Sequence, residues 1–328
     1  MLDDKNHDLN IAVVIPSYKV TKHILAVIDA IPGVVSKIYV VDDCCPDQSG
    51  AFVRENCKDP RVTVIQNEIN LGVGGAVIAG YRAAKDDGND IIVKIDGDGQ
   101  MDSSLIEAFI EPIKSGRADY TKGNRFFNLE RIRKMPALRI LGNTVLSFIT
   151  KLSSGYWQIF DPTNGYTAIN ARLIEFLPLA KINSRYFFES DMLFRLNCLR
   201  AVVVDIPMHA KYDDEVSNLR ISKILSLFVS KNIENMFKRI FYNYFLRDLT
   251  AASIELVVGF LLLVFGLSFG VRAWERSAEG VLASSGTVML AALPTMLGIQ
   301  FLMAFLNFDI SNQPRDAIWP RLKFKSIK

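Results

Sequence analysis

Two carboxylates one residue apart close an apolar run at Lys94 to Asp102, KIDGDGQMD. Gly97 and Gly99 flank Asp98 and permit a tight turn. Gln100 adds a neutral oxygen two residues later. Hard divalent cations take oxygen ligands and commonly keep substrate phosphates in their shell. Asp96 and Asp98, with Gln100, could therefore hold a metal that neutralises a departing diphosphate. A D-x-D in a turn is common, so the buried strand leading into it carries much of the weight.

Other polar groups sit at comparable places. Asp42 and Asp43 close a second apolar run, where a carboxylate could accept hydrogen bonds from a base or ribose; a solvated turn is the alternative. Asn70 to Gly75 (NLGVGG) is a glycine-rich turn running into a helix. Helix N-terminal amides can face phosphate there, but neither the G-x-G-x-x-G order of a dinucleotide site nor the Lys-Ser/Thr of a P-loop is present. Pro16, Ser17 and Tyr18 follow the first apolar run.

These groups need a scaffold, and the N-terminal part supplies an alternation. Strands are predicted at Ile11 to Pro16, Lys37 to Asp42, Val62 to Gln66 and Asp90 to Asp96. Helices are predicted at Thr21 to Ile31, Gln48 to Cys57 and Gly74 to Lys85. Such alternation implies an α/β fold with a mostly parallel sheet covered on both faces. Ligands on such sheets bind at the carboxyl ends of strands, where these polar residues fall.

The chain has 328 residues, a net charge of +3 and a pI near 8.5, so bulk charge does not point to nucleic acid. Cys44, Cys45, Cys57 and Cys198 match neither a zinc nor a disulfide spacing, and a reducing cytosolic setting fits. No secretory signal is expected, since Met1 to Asn10 is polar.

Two stretches, Leu249 to Val271 and Val281 to Phe308, are long and apolar enough to span a bilayer; buried core helices are the alternative. Glu255 lies near the start of the first and is read as interfacial, and Pro294 is expected to kink the second. Basic residues lie outside the pair: Lys238, Arg239 and Arg247 before it, Arg315, Arg321, Lys323 and Lys325 after it. The positive-inside rule then places the soluble domain and both termini in the cytoplasm. Apolar residues interleaved with Lys223, Lys231, Lys238 and Arg239 suit one or two amphipathic helices on a membrane surface, or a helix packed on its own domain. The expected organisation is a catalytic domain at 1–217, interface helices at 218–247, a membrane hairpin at 248–308 and a basic tail at 309–328.

Together these motifs resemble glycosyltransferase family 2, and within it the polyprenyl-phosphate glycosyltransferases typified by dolichol-phosphate mannose synthase. VVIPSYK (Val13 to Lys19) is similar to the family's opening strand and loop, and VVDD (Val40 to Asp43) to its base-binding acidic pair. NLGVGGAVIAGYRAA (Asn70 to Ala84) resembles its N-x-G-x-x-x-A-x-x-x-G segment, and IDGDGQ (Ile95 to Gln100) its D-x-D-x-Q metal motif. KGNRF (Lys122 to Phe126), DPTNGYTAI (Asp161 to Ile169) and FFESDML (Phe187 to Leu193) resemble later family segments. The resemblance covers Ile11 to about Leu219. It implies a GT-A-type, Rossmann-like nucleotide-sugar-binding domain followed by interface helices and two transmembrane helices.

The implied donor contacts are Pro16, Tyr18, Asp42, Asp43, Asn70, Gly72, Gly75, Asp96, Gly97 and Asp98. The implied cofactor is Mg2+ or Mn2+ on Asp96, Asp98 and Gln100, and His209 could complete that site. Arg125 becomes the phosphate-binding candidate, joined by Arg131, Arg133, Lys211 and Ser217 toward an acceptor phosphate. Glu189 and Asp191 are candidate catalytic acids, alongside Asp98 and Arg125, with a structural acidic pair as their alternative. Asp161 is a candidate beside the donor sugar. Two departures stand out. Lys19-Val20 replaces the usual Asn-Glu, and HAKYDDEVSNL (His209 to Leu219) lacks the Arg of R-x-x-G-x-S-K.

The expected partners are a nucleotide-sugar, polyprenyl phosphate and a membrane, here a bacterial inner membrane, with homo-oligomers open. The expected reaction is inverting transfer of one sugar to the lipid phosphate. A glycan, protein or diacylglycerol acceptor is one alternative, and a catalytically silent membrane scaffold is another. A processive polysaccharide synthase is disfavoured, since no Q-x-x-R-W motif is present.

Overall fold

The computed structural model describes residues 9–127, 137–208 and 221–322. Arg131, Arg133, His209, Lys211 and Ser217 lie outside the described residues. Contacts divide the chain into two compact units: one runs to Met236 and resumes at Pro314, and the other is Phe237–Gln313.

The first unit is built on seven strands: β1 (Ile11–Ser17), β2 (Lys37–Asp42), β3 (Val62–Gln66), β4 (Ile91–Lys94), β5 (Tyr120–Asn124), β6 (Thr167–Asn170) and β7 (Val203–Pro207). Their order is β3-β2-β1-β4-β6-β5-β7. β6 runs antiparallel to both neighbours, and the other pairings are parallel. The chain leaves β1 toward β2 and β3, then returns to place β4 on the opposite side of β1. That reversal opens a crevice at the carboxyl ends of β1 and β4.

Among the described residues the sheet is accompanied by the helices α1 (Ile24–Asp29), α2 (Ser49–Asn56), α3 (Val73–Asp86), α4 (Ile106–Lys114), α5 (Ala137–Ser154) and α6 (Phe188–Cys198). Strand alternation divides the core between two faces. Ile11, Val13 and Ile15 of β1 join Val40, Val93 and the α1 and α4 residues Ile24, Ile28, Ile106 and Phe109. Ala12 and Val14 join Val41, Ile92 and residues of α3 and α6, including Val77, Tyr81, Met192 and Leu196. Burial on both faces explains why β1, β2 and β4 read as continuous apolar runs. The first helix is shorter than its pattern, because Val20 O accepts from both His23 N and Ile24 N in a turn that precedes it.

Helix α7 (Ile221–Phe241) crosses the boundary between the units. In the first unit it is fastened by Asn235 Nδ2, which donates to Asp191 Oδ1 at 2.9 Å, and by Asn232, which accepts from Ser153 Oγ. The chain returns to this unit at Pro314. Asp119, fully buried, accepts from Ile318 N and Trp319 N at 2.8–3.0 Å, and from Val202 N at 2.7 Å. Residues 318–322 of the expected tail thus pack on the catalytic body.

The second unit holds α8 (Ala251–Ala278) and α9 (Ser285–Ser311), two helices long and apolar enough to cross a membrane. Small residues bring their backbones together. A Cβ on Gly298 would lie 2.7 Å from Leu263 N, and one on Gly259 would lie 2.9 Å from Phe301 Cβ. α9 continues through Pro294. Near its end Asp309 is buried, gripped by Arg239 (Nη1–Oδ1 2.6 Å, Nη2–Oδ2 3.0 Å) and by Tyr244 Oη at 2.6 Å.

Candidate active site

The D-x-D turn leaves the central strand β4 at the crevice. Asp98 Oδ1 accepts from Gln100 N at 2.9 Å, and Gly99 takes a positive φ of 81° that closes the turn. Asp96 is held from behind by Lys94, whose Nζ lies 2.7 Å from Asp96 Oδ1 and 3.5 Å from Glu189 Oε1. Lys94 is buried, and burial alone would discharge it. The carboxylates of Asp96 and Glu189 overcome that penalty and raise its pKa above the usual lysine range.

Sequence reasoning grouped Glu189 with Asp191, and the structure separates them. Glu189 reaches Lys94 from the start of α6. Asp191 points elsewhere and is almost fully buried. Its Oδ2 accepts from Asn183 N (2.9 Å) and Arg195 Nε (3.2 Å), and its Oδ1 accepts from Asn235. That is a framework role.

The acidic pair after β2 is likewise turned inward. Asp42 accepts from Cys45 N at 2.7 Å and Gly50 N at 2.6 Å, which shapes the loop into α2. Asp43 accepts from Asn67 Nδ2 (2.8 Å), Leu71 N (2.9 Å) and Gly72 N (2.7 Å), while Asn70 Nδ2 donates to Asp43 O at 3.1 Å. Both carboxylates are at most 3 % exposed. Their geometry makes them organisers of the crevice wall.

The glycine-rich turn serves the same packing. Gly75 N donates to Ser184 O at 3.0 Å. A Cβ on Gly72 would lie 2.7 Å from Ser184 O, and one on Gly74 would lie 2.7 Å from Phe188 Cβ. The glycines let the start of α3 press against the segment leading into α6. Pro16 is half-buried in β1, and Tyr18 is exposed just past it.

On the other side of β4, Arg125 follows β5 and makes a two-bond pair with buried Asp161 (Nε–Oδ2 2.7 Å, Nη2–Oδ1 3.0 Å). Beneath them Lys122, fully buried, donates to Asn164 O. Burial pulls its ammonium down to about 8, against the opposing pull of Glu189 and Asp161. Asp205 of β7 accepts from Phe160 N (3.0 Å) and Asn124 Nδ2 (3.1 Å), and burial pushes its carboxyl up to about 6. Lys94 and Lys122 stand inside the motifs KIDGDGQMD and KGNRF without an assigned role, and Asp205 stands outside every motif. The available signal was a lysine near the end of a run apolar enough to be a buried strand.

Asp96, Asp98 and Gln100 offer hard oxygen donors at a half-open turn. Among the described residues no group of three His, Cys, Asp or Glu side chains could hold a metal by itself. The set fits a cation whose remaining ligands come from a substrate.

The chain is 29% identical over 221 residues to the UDP-N-acetylglucosamine–dolichyl-phosphate N-acetylglucosaminyltransferase of Methanococcus voltae, covering 63% of this chain and 88% of that one. It is 29% identical over 206 residues to the undecaprenyl-phosphate mannosyltransferase of Micrococcus luteus, covering 61% and 83%. Among solved structures, glucosyl-3-phosphoglycerate synthase from Mycobacterium tuberculosis, in complex with Mn2+, UDP and phosphoglyceric acid, superposes with a TM-score of 0.53 at 17% identity, covering 70% of this chain and 78% of that one. That likeness shows a shared GT-A-like fold. The sequence profile of glycosyl transferase family 2 matches residues 12–177, the half of the chain that carries β1 to β6 and the D-x-D turn, and the chain belongs to that family.

Proposed function

We propose that this enzyme transfers one sugar from a nucleotide-sugar to a polyprenyl phosphate at the cytoplasmic face of a membrane. The observation that carries the reading is the D-x-D turn at the sheet's reversal point, in a chain similar to transferases named for dolichyl and undecaprenyl phosphate acceptors. The bound divalent ion, Mg2+ or Mn2+, would neutralise the leaving diphosphate. Asp96, Asp98 and Gln100 would hold it, and the Mn2+–UDP complex of the structural relative agrees with that choice of cofactor.

The protein's own groups do the rest. Asp42, Asp43, Asn70, Gly72 and Gly75 build the wall that receives the nucleoside, with Pro16, Tyr18 and Gly97 beside it. Glu189 lines the donor side next to Lys94. Arg125 meets the acceptor phosphate with its planar guanidinium, and Arg131, Arg133, Lys211 and Ser217, outside the described residues, are proposed for the same acceptor role. A lipid phosphate is anionic near neutral pH, so the attacking oxygen needs little help from a base. A single displacement inverts the anomeric centre.

The two apolar helices hold the domain beside the bilayer. The chain before α8 and the chain after α9 belong to one compact body, which favours an even number of crossings and both ends on one side. The basic flanks favour the cytoplasm.

The test is transfer of label from a panel of UDP- and GDP-sugars into organic-extractable product, with undecaprenyl or dolichyl phosphate and Mg2+ or Mn2+. Metal-dependent lipid product from one donor is expected. Metal-dependent nucleotide binding without lipid product from any donor would move the acceptor to another class.

A further inference from the structure

We propose that Lys94 is a positioning residue for the reaction: its buried ammonium clamps Asp96 from behind and ties it to Glu189, so that β4 and α6 present one fixed acidic site to the metal and nucleotide. The inference deepens the donor-site reading above and rests on it.

β4 is central, flanked by β1 and β6, with Lys94 opposite Val14 on one side and Thr167 on the other. Alternation sends Lys94 to the same face as Ile92, the face covered by α3 and α6. An apolar residue would pack there without penalty, whereas an ammonium must be paired to be tolerated. Lys94 finds its partners at the carboxyl end of the strand. Asp96 comes from its own turn, and Glu189 comes from the first turn of α6.

The loop between Asp161 and β6 closes the slot. Gly165 leaves no room for a side chain: a Cβ there would collide with Lys94 Nζ and lie 2.7 Å from Asp96 Oδ2. The lysine is thus enclosed by the turn, the helix and the loop. Without it, Asp96 and Glu189 would lose the cation they share, and Asp96 would swing away from Glu189. Groups that hold a metal ligand from behind matter nearly as much as the ligand.

The experiment uses the full chain in detergent. Mn2+ binding in the presence of UDP is read from the electron paramagnetic resonance of free Mn2+, and transfer is measured in parallel. Lys94→Met should weaken Mn2+ binding by about 10–100-fold and lower kcat, with the acceptor KM unchanged. If Lys94 acts through Asp96, Lys94→Met/Asp96→Asn should bind no worse than Asp96→Asn alone; additive losses overturn the proposal. Should Lys94→Met not fold, Lys94→Met/Glu189→Gln removes one of the carboxylates left unpaired, and it carries the same comparison against Glu189→Gln. Wild-type binding that Lys94→Met leaves unchanged overturns the role of Lys94 alone. Absence of Mn2+- or Mg2+-dependent UDP binding in the wild type overturns the donor-site reading and Lys94 with it.

Discussion

Arg125 and Asp161 face each other in a two-bond pair, Nε to Oδ2 at 2.7 Å and Nη2 to Oδ1 at 3.0 Å, and the arginine's own backbone N–H also donates to Asp161 at 3.2 Å. The carboxylate is buried and the guanidinium half-exposed. Asp161 therefore fixes the plane of the fork. Arg125→Lys keeps a positive charge beside Asp161 but cannot reproduce both bonds. Transfer to lipid phosphate should fall by about 10–100-fold, mainly as a raised acceptor KM. Calorimetry with UDP and Mn2+ should be nearly unchanged, and a larger loss on the donor side would remove Arg125 from the acceptor role.

Asp98→Asn separates charge from shape. The amide oxygen can still accept from Gln100 N, the bond that Asp98 Oδ1 now accepts at 2.9 Å. Thermal stability should stay within about 0.5 kcal/mol of wild type, while transfer should fall by about 100-fold or more. Near-normal activity in the variant would remove the metal from the mechanism.

The pH dependence of stability has an identifiable contributor in Asp205. Burial pushes its carboxyl up to about 6, more than the Phe160 amide and Lys122 pull it down. The folded protein thus holds this proton more tightly than the unfolded chain, whose carboxyl titrates near about 4. The stability that follows is complete below that value and is lost as the pH rises through about 6. Asp205→Asn, neutral throughout, should melt higher than wild type at pH 7.5, with a smaller gap at pH 4.5. The gain is reduced by loss of one anion near Lys122, although Glu189 and Asp161 act on that lysine more strongly. A melting difference independent of pH would count against this origin.

How much of this was legible in the sequence follows from what each feature depends on. The edge strand β3 shows itself by its β-branched residues, with Thr63 and Gln66 exposed, whereas β1 and β2 declare themselves because burial on both faces forces unbroken apolar runs, which end in Ser17 and Asp42. The D-x-D turn is visible for the same reason. The inward turn of Asp42 and Asp43 was not visible, because a carboxylate at a strand end reads the same whether it faces a ligand or the amides of Cys45, Gly50 and Gly72. Glu189 and Asp191 part company because residues two apart on a helix point in different directions, and only tertiary packing says which faces β4. Asp309 was passed over, since its partner Arg239 lies far away in sequence and joins it only when the helices assemble.

Asp119 binds the amides of Ile318 and Trp319, Arg172 Nη1 donates to Leu322 O at 3.2 Å, and the Arg172 guanidinium lies 5.4 Å from the centre of the Trp319 ring. The chain that follows α9 is thereby fastened to the body that precedes α8, and the proposed hairpin expects both on one side of the membrane. In a Cys44→Ser background, which removes the exposed native thiol, cysteines placed at Asn10 and Arg315 should react with an impermeant maleimide from the same side. A cysteine at Leu282, in the connector between α8 and α9, should react from the other. Trp319→Ala, which deletes the half-buried ring, should destabilise the catalytic body by about 1–3 kcal/mol. Labelling of Asn10 and Arg315 from opposite faces would overturn the hairpin, and an unchanged melting temperature in Trp319→Ala would show that the clasp adds little to the fold.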